Sequence, residues 1–93
     1  MLVKYFGRSG CAACPPVRQV CKELEKEGVQ VRYIDVETTE GRAEAVFYNI
    51  LGLPAVLVID EKGNEVEGWR GTPPMKKRVL DLFRKEKGAG AKA

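Results

Sequence analysis

The segment FGRSGCAACPPVRQVC, from Phe6 to Cys21, holds all three cysteines of the chain. Cys11, Cys14 and Cys21 follow an apolar stretch, residues 2–6 (LVKYF), and open a segment of helical periodicity. This constrains the fold more than any other feature, because it sets two thiols at a strand-to-helix junction. Three readings are open at this level: a redox pair with a spectator cysteine, a metal site, or a structural staple.

The flanking pattern is legible element by element. Residues 2–6 read as a short strand ended by Gly7. From 15 to 27 the pattern is helical, with Val17, Val20, Cys21 and Leu24 forming one stripe of a 3.6-residue period. Gly28 stops that helix. Residues 29–36 are β-branched and aromatic, hence a strand. Thr38 or Thr39 caps the next helix, whose expected apolar face is Ala43, Val46, Phe47 and Ile50, with Gly52 closing it. Residues 55–59 are apolar on both faces and belong in the middle of a sheet. Residues 60–64 form a hairpin turn, and 65–69 return as a strand. Thr72 caps a last helix with Pro73 at its first position. That helix is expected to run to about Lys87 with Met75, Val79, Leu82 and Phe83 inward.

The order β-α-β-α-β-β-α predicts an α/β fold: a four-stranded mixed sheet with helices on both faces. The first two strands are expected parallel through a right-handed crossover, and the last two antiparallel. One domain over 1–87 is expected, with a frayed tail at 88–93 that has nothing to bury.

Ninety-three residues make one small domain, which buries roughly 60–65% of its unfolded surface and folds without staples. The net charge of +3 is spread over mixed signs, which gives little support to nucleic-acid binding. The opening MLVKYF lacks the basic-then-apolar layout of a secretory signal, and no run is long enough to span a membrane. Clustered, odd-numbered cysteines favour a reducing compartment, here the cytoplasm, and a chemical use.

Cys11 and Cys14 stand one helical turn apart. Positions i and i+3 lie about 5–6 Å apart, within the roughly 4.4–6.8 Å that a disulfide spans between Cα atoms. A C-x-x-C beside a βαβ pattern is a redox signature. The helix start favours negative charge, and Arg8 stands three residues earlier. Such surroundings lower a thiol from about 8.5 to roughly 3.5–7.5. Two units of lowering require about 2.7 kcal/mol. The helix end supplies up to ~2 kcal/mol, and a hydrogen bond from the Cys14 thiol ~1 kcal/mol. Cys11 is therefore expected as nucleophile and Cys14 as resolving thiol, shielded by Pro15 and Pro16. Zinc ordinarily takes four Cys or His ligands; three cysteines and no histidine leave a metal reading short of ligands, so no metal site is expected. Cys21 is about 10.5 Å of helix rise beyond Cys14, too far to bridge it, and reads as a small buried hydrophobe.

With these residues in view, the chain resembles the thioredoxin superfamily over nearly its whole length. The string Phe6-Gly7-Arg8-Ser9-Gly10-Cys11 is very similar to the approach to the active site in glutaredoxins. The resemblance implies a dithiol–disulfide oxidoreductase that works as a protein disulfide reductase and electron carrier. It implies no tightly bound cofactor beyond the Cys11–Cys14 disulfide. Leu53-Pro54 would be the family's cis-proline loop, with the Leu53 backbone pairing an extended substrate segment and Pro54 near Cys11. Arg8 and Gly71 join these as expected substrate-binding residues. The Gly-Gly-Asp grip on glutathione found in glutaredoxins is absent. Instead Trp69, Gly71 and Pro74 make a W-x-G-x-x-P spacing that resembles NrdH-type redoxins, which are reduced by thioredoxin reductase and serve ribonucleotide reductase. The implied partners are disulfide-bearing proteins and a flavoprotein reductase, with the chain itself a monomer. A glutathione-dependent glutaredoxin, with glutathione as reductant, and a metal or iron–sulfur binding module are the alternatives. Ala12-Ala13 matches neither family's usual pair, and Tyr5 stands where thioredoxins keep a buried acid.

Overall fold

A computed structural model of the chain describes residues 1–92, with side chains through Lys85. Its elements are β1 (Leu2–Gly7), α1 (Cys14–Lys26), β2 (Val31–Asp35), α2 (Thr39–Phe47), β3 (Ala55–Ile59), β4 (Glu65–Arg70) and α3 (Lys76–Lys92). The strands form one mixed sheet in the order β2-β1-β3-β4. β1 and β2 are parallel, with Val3 opposite Val31. β3 runs antiparallel to both β1 and β4. The all-apolar β3 is thus flanked on both edges, and every one of its residues is buried. Expectation and structure agree on this architecture. Side chains 86–93 lie outside the described residues. The backbone of α3 continues to Lys92, past the end expected at about Lys87 and through most of the tail expected at 88–93; residue 93 lies outside the described residues.

Alternation along the strands splits the core in two. Val3 and Tyr5 of β1, with Val56 and Val58 of β3, face α1 and α3 through Val17, Cys21, Leu24 and Val79. Phe6, Ala55, Leu57 and Ile59 face the other way, toward Ala45 of α2. The α1 stripe is buried at Val17, Cys21 and Leu24. Gly28 ends that helix at φ 91°, a left-handed conformation that a side chain makes costly.

Three local expectations are corrected. The first concerns α2, which buries Gly41 and Ala45 and leaves Val46 and Phe47 about three-quarters exposed, at 76% and 75%. The cause is a close approach at its N-terminus. Thr38 caps the helix, accepting from the Gly41 N–H at 2.9 Å, and donates its own hydroxyl to the Asp35 carbonyl. A Cβ on Gly41 would sit 1.9 Å from the same Asp35 oxygen. Only glycine permits this contact, and the contact sets which stripe turns inward. The second concerns the end of α2: it stops at Phe47, with Asn49 at φ 59° making the left-handed turn, well before Gly52. The third concerns α3, which begins at Lys76, so Thr72 is not its cap and Met75 is 64% exposed. Residues before proline avoid helical backbone, which holds Thr72 and Pro73 out of the helix while Pro74 is buried. The similar Cys14-Pro15-Pro16 run does enter α1, with the Cys14 N–H donating to the Cys11 carbonyl at its start.

Gly41→Ala is expected to destabilise the protein by about 1–3 kcal/mol, the usual cost of overpacking, despite alanine's better helix propensity. A thermal melt checks this: about 4–8 °C is lost per kcal/mol in a domain this size, and a raised midpoint would contradict the contact.

Candidate active site

β1 delivers the chain from the middle of the sheet to Gly7, and the cysteines follow at once. Cys11 lies in the turn before α1, whose N-cap is Ala13, so only Cys14 is helical. The Cys14 N–H donates to the Cys11 carbonyl at 3.3 Å. The two sulfurs are bonded, at an S–S distance of 2.11 Å and a Cα–Cα distance of 5.4 Å. The cysteines differ in access. Cys11 is partly exposed, whereas Cys14 is 3% exposed and part of the α1-side core with Tyr5 and Val17. This core shields Cys14; Pro15 and Pro16, expected to do so, are themselves exposed. Having no N–H, they also remove two of the donors a helix start normally leaves open. Ala12 and Ala13, whose N–H groups make no hydrogen bond among the described residues, are the nearest backbone donors left.

Across from the cysteines stands the loop between α2 and β3. The Leu53–Pro54 peptide is cis, and Pro54 is fully buried. The Gly71 N–H donates to the Pro54 carbonyl at 2.7 Å. Gly71 itself sits at φ 81°, so the exit of β4 is fastened to the proline loop through a turn that suits glycine. The Leu53 backbone makes no hydrogen bond among the described residues. A depression of 420 Å³ is lined by Arg8, Gly10, Cys11, Ala12, Ala13, Leu51, Gly52 and Leu53. Arg8, Cys11 and Leu53 therefore meet at one surface, whereas Pro54 and Gly71, expected with them, do not line the depression: Pro54 is buried and Gly71 is exposed, hydrogen-bonded to the proline carbonyl. Trp69 packs on the α1-side core rather than into this depression.

Sequence reasoning passed over Leu51, which is 93% exposed at the mouth of the site. Its only signal was an apolar residue beside Gly52, just ahead of the proline. Arg42 and Val46, on the neighbouring surface of α2, were missed because the apolar stripe was assigned inward.

Tyr5 stands under the cysteines with its ring against Gly7, where a Cβ would lie 2.6 Å from the phenol oxygen. Burial pushes this phenol above its ordinary range, opposed by the Arg18 charge, so Tyr5 is neutral at physiological pH. Cys21 is free and fully buried. Burial first, and Glu25 second, push its thiol up to about 12. Among the described residues, no three His, Cys, Asp or Glu side chains gather as a metal site.

Two outcomes follow for Cys21. In the reduced folded protein, brief alkylation at pH 8 should label Cys11 and leave Cys21 unmodified until denaturant is added; equal labelling would contradict its burial. Its raised value means the folded state holds the proton more tightly than the unfolded state does. The associated stability is whole below about 9, the value of a free thiol, and declines as pH climbs toward about 12. Between these limits the wild type should lose stability more steeply than Cys21→Ala in urea titrations.

A mixed sheet that presents one reachable and one buried cysteine, bonded at C-x-x-C spacing, defines a dithiol–disulfide oxidoreductase. The chain is 34% identical over 62 residues to a probable thioredoxin of Archaeoglobus fulgidus, covering 66% of this chain and 68% of that protein. It therefore belongs to the thioredoxin family, and it is a thiol–disulfide oxidoreductase. A thioredoxin of Acetoanaerobium sticklandii is 35% identical over 54 residues, 57% of this chain and 51% of its own length. No family model matches the sequence. Among solved structures, a thioredoxin from Thermosipho africanus shares the fold at a TM-score of 0.72, with 16% identity over 98% of this chain and 99% of that one. A reduced Schistosoma mansoni thioredoxin pre-protein aligns at 0.69 with 26% identity, over 90% of this chain and 76% of that one. No helix among the described residues is long and apolar enough to cross a membrane.

Proposed function

We propose that this protein is a cytoplasmic electron carrier of the glutaredoxin-like, NrdH type, which reduces disulfides on partner proteins. The observation that carries the assignment of roles is the difference in access, Cys11 partly exposed and Cys14 buried at 3%. In the reduced form, the Cys11 thiolate attacks one sulfur of a partner disulfide. A mixed disulfide forms, and the partner's other sulfur leaves and takes a proton. Deprotonated Cys14 then attacks the Cys11 Sγ, re-forming the Cys11–Cys14 bond and releasing the partner's second thiol. Two electrons have passed to the partner. A flavoprotein reductase such as thioredoxin reductase returns them.

Arg8, Leu53, Pro54 and Gly71 serve substrate binding. The free N–H and C=O of Leu53 suit pairing with an extended backbone, Pro54 presents no N–H of its own beside the sulfurs, and Gly71 holds the proline carbonyl. No tightly bound cofactor is needed. The neutral Tyr5 phenol cannot act as a carboxylate base, so water or another group takes the Cys14 proton. The thioredoxin names of the relatives and the W-x-G-x-x-P residues favour thioredoxin reductase over glutathione as the source of electrons. A coupled assay decides this. Nicotinamide oxidation through thioredoxin reductase should support reduction of a protein disulfide, with much slower turnover from glutathione and glutathione reductase. Equal or faster glutathione-driven turnover would overturn the choice of reductant.

A further inference from the structure

The depression beside Cys11 does not end at the proline loop. A second one, of 290 Å³, is lined by Arg8, Val36, Arg42, Ala45, Val46, Ile50, Leu51, Gly52 and Leu53. The two share Arg8, Leu51, Gly52 and Leu53, so a continuous groove leads from the reactive sulfur past Leu53 onto the surface of α2. Two features give it a chemical character. Leu51 and Val46, two of its apolar side chains, are unusually bare at 93% and 76% exposed, beside the partly buried Val36, Ile50 and Leu53. Its charged lining residues are Arg8 and Arg42 alone, and neither forms an ion pair among the described residues. Arg70, Arg78 and Arg84 are engaged by Glu65, Glu67 and Asp81. Arg18 and Arg32, also exposed and outside any ion pair among the described residues, line neither depression of this groove. Two uncommitted guanidiniums flanking an apolar floor complement an anionic, partly apolar occupant.

We propose that this groove selects partner proteins in which the attacked cysteine lies in an extended segment carrying acidic side chains and one apolar side chain. The segment runs from Cys11 toward α2. Its backbone meets Leu53, its apolar side chain rests on Leu51 and Val46, and its carboxylates pair with Arg8 and Arg42. The inference rests on the disulfide-reductase reading above and adds the class of substrate.

The test uses the full chain and peptides of about ten residues, each holding one disulfide to a small neutral thiol. The residues flanking the cysteine are Glu and Leu, Gln and Leu, or Lys and Leu. At low ionic strength kcat/KM should fall in that order, by about tenfold or more from Glu to Lys. The spread should shrink at high salt, because exposed charges are screened. In Arg42→Glu the order should invert, and Arg8→Gln should narrow it; both residues are exposed and unpaired, so the fold is retained. Equal kcat/KM for the three peptides, or an order unchanged in Arg42→Glu, overturns the proposal. So does oxidised glutathione reduced as fast as the Glu peptide, since the groove would then be reading a tripeptide's carboxylates alone. Hydroxyethyl disulfide, small and uncharged, separates the two levels. If it is not reduced, the reductase reading itself fails; if it is reduced while peptide charge has no effect, only the groove assignment fails.

Discussion

Cys11→Ser is expected to lower disulfide reduction by roughly 10³-fold or more, to the background of the assay. A serine hydroxyl is not ionised near neutral pH, so the nucleophile is lost rather than weakened. Cys14→Ser is expected to fail in a different way. Cys11 remains able to attack, but the resolving step becomes intermolecular. An oriented intramolecular group acts at effective molarities of about 10⁵–10⁸ M, so its removal leaves the mixed disulfide standing. Mass spectrometry of Cys14→Ser after reaction with a protein disulfide should show a covalent one-to-one adduct through Cys11. If Cys14→Ser turned over at the wild-type rate, the dithiol mechanism would be wrong. If the adduct formed through Cys14 in Cys11→Ser instead, the two roles would be exchanged.

Phe6→Ala carries the largest expected loss of stability. Phe6 is fully buried and anchors the smaller core beneath α2, edge-on to Tyr48 with ring centroids 6.3 Å apart. Truncating a buried phenylalanine costs about 3–5 kcal/mol, against a total of about 5–14 kcal/mol for a domain of this length. The melting midpoint should drop by at least about 12 °C. The consequence reaches the active site, since the helix resting on Phe6 leads into the loop that carries Leu51, Leu53 and Pro54. Disulfide reduction should therefore fail at a lower temperature in Phe6→Ala than in the wild type. A midpoint within 2 °C or so of wild type would mean that this face is not packed as described.

Much of the molecule was open to reading from the chain because its cues are local. Apolar residues at 55–59 belong at the centre of a sheet whatever surrounds them, and Gly28 ends its helix through its own backbone freedom. Cys11 and Cys14 meet because i and i+3 neighbours in a turn cannot be far apart. Such features depend on a few consecutive residues, and periodicity captures them. The face that α2 turns inward was not open in that way. Two stripes compete on that helix, and the choice falls to Gly41, whose missing side chain lets the helix press against the carbonyl of Asp35. The bareness of Val46 and Leu51, the isolation of Arg8 and Arg42, and the fastening of Gly71 to Pro54 arise in the same way. Each depends on which distant segments meet across the sheet, a matter of through-space contact that one-dimensional pattern does not record.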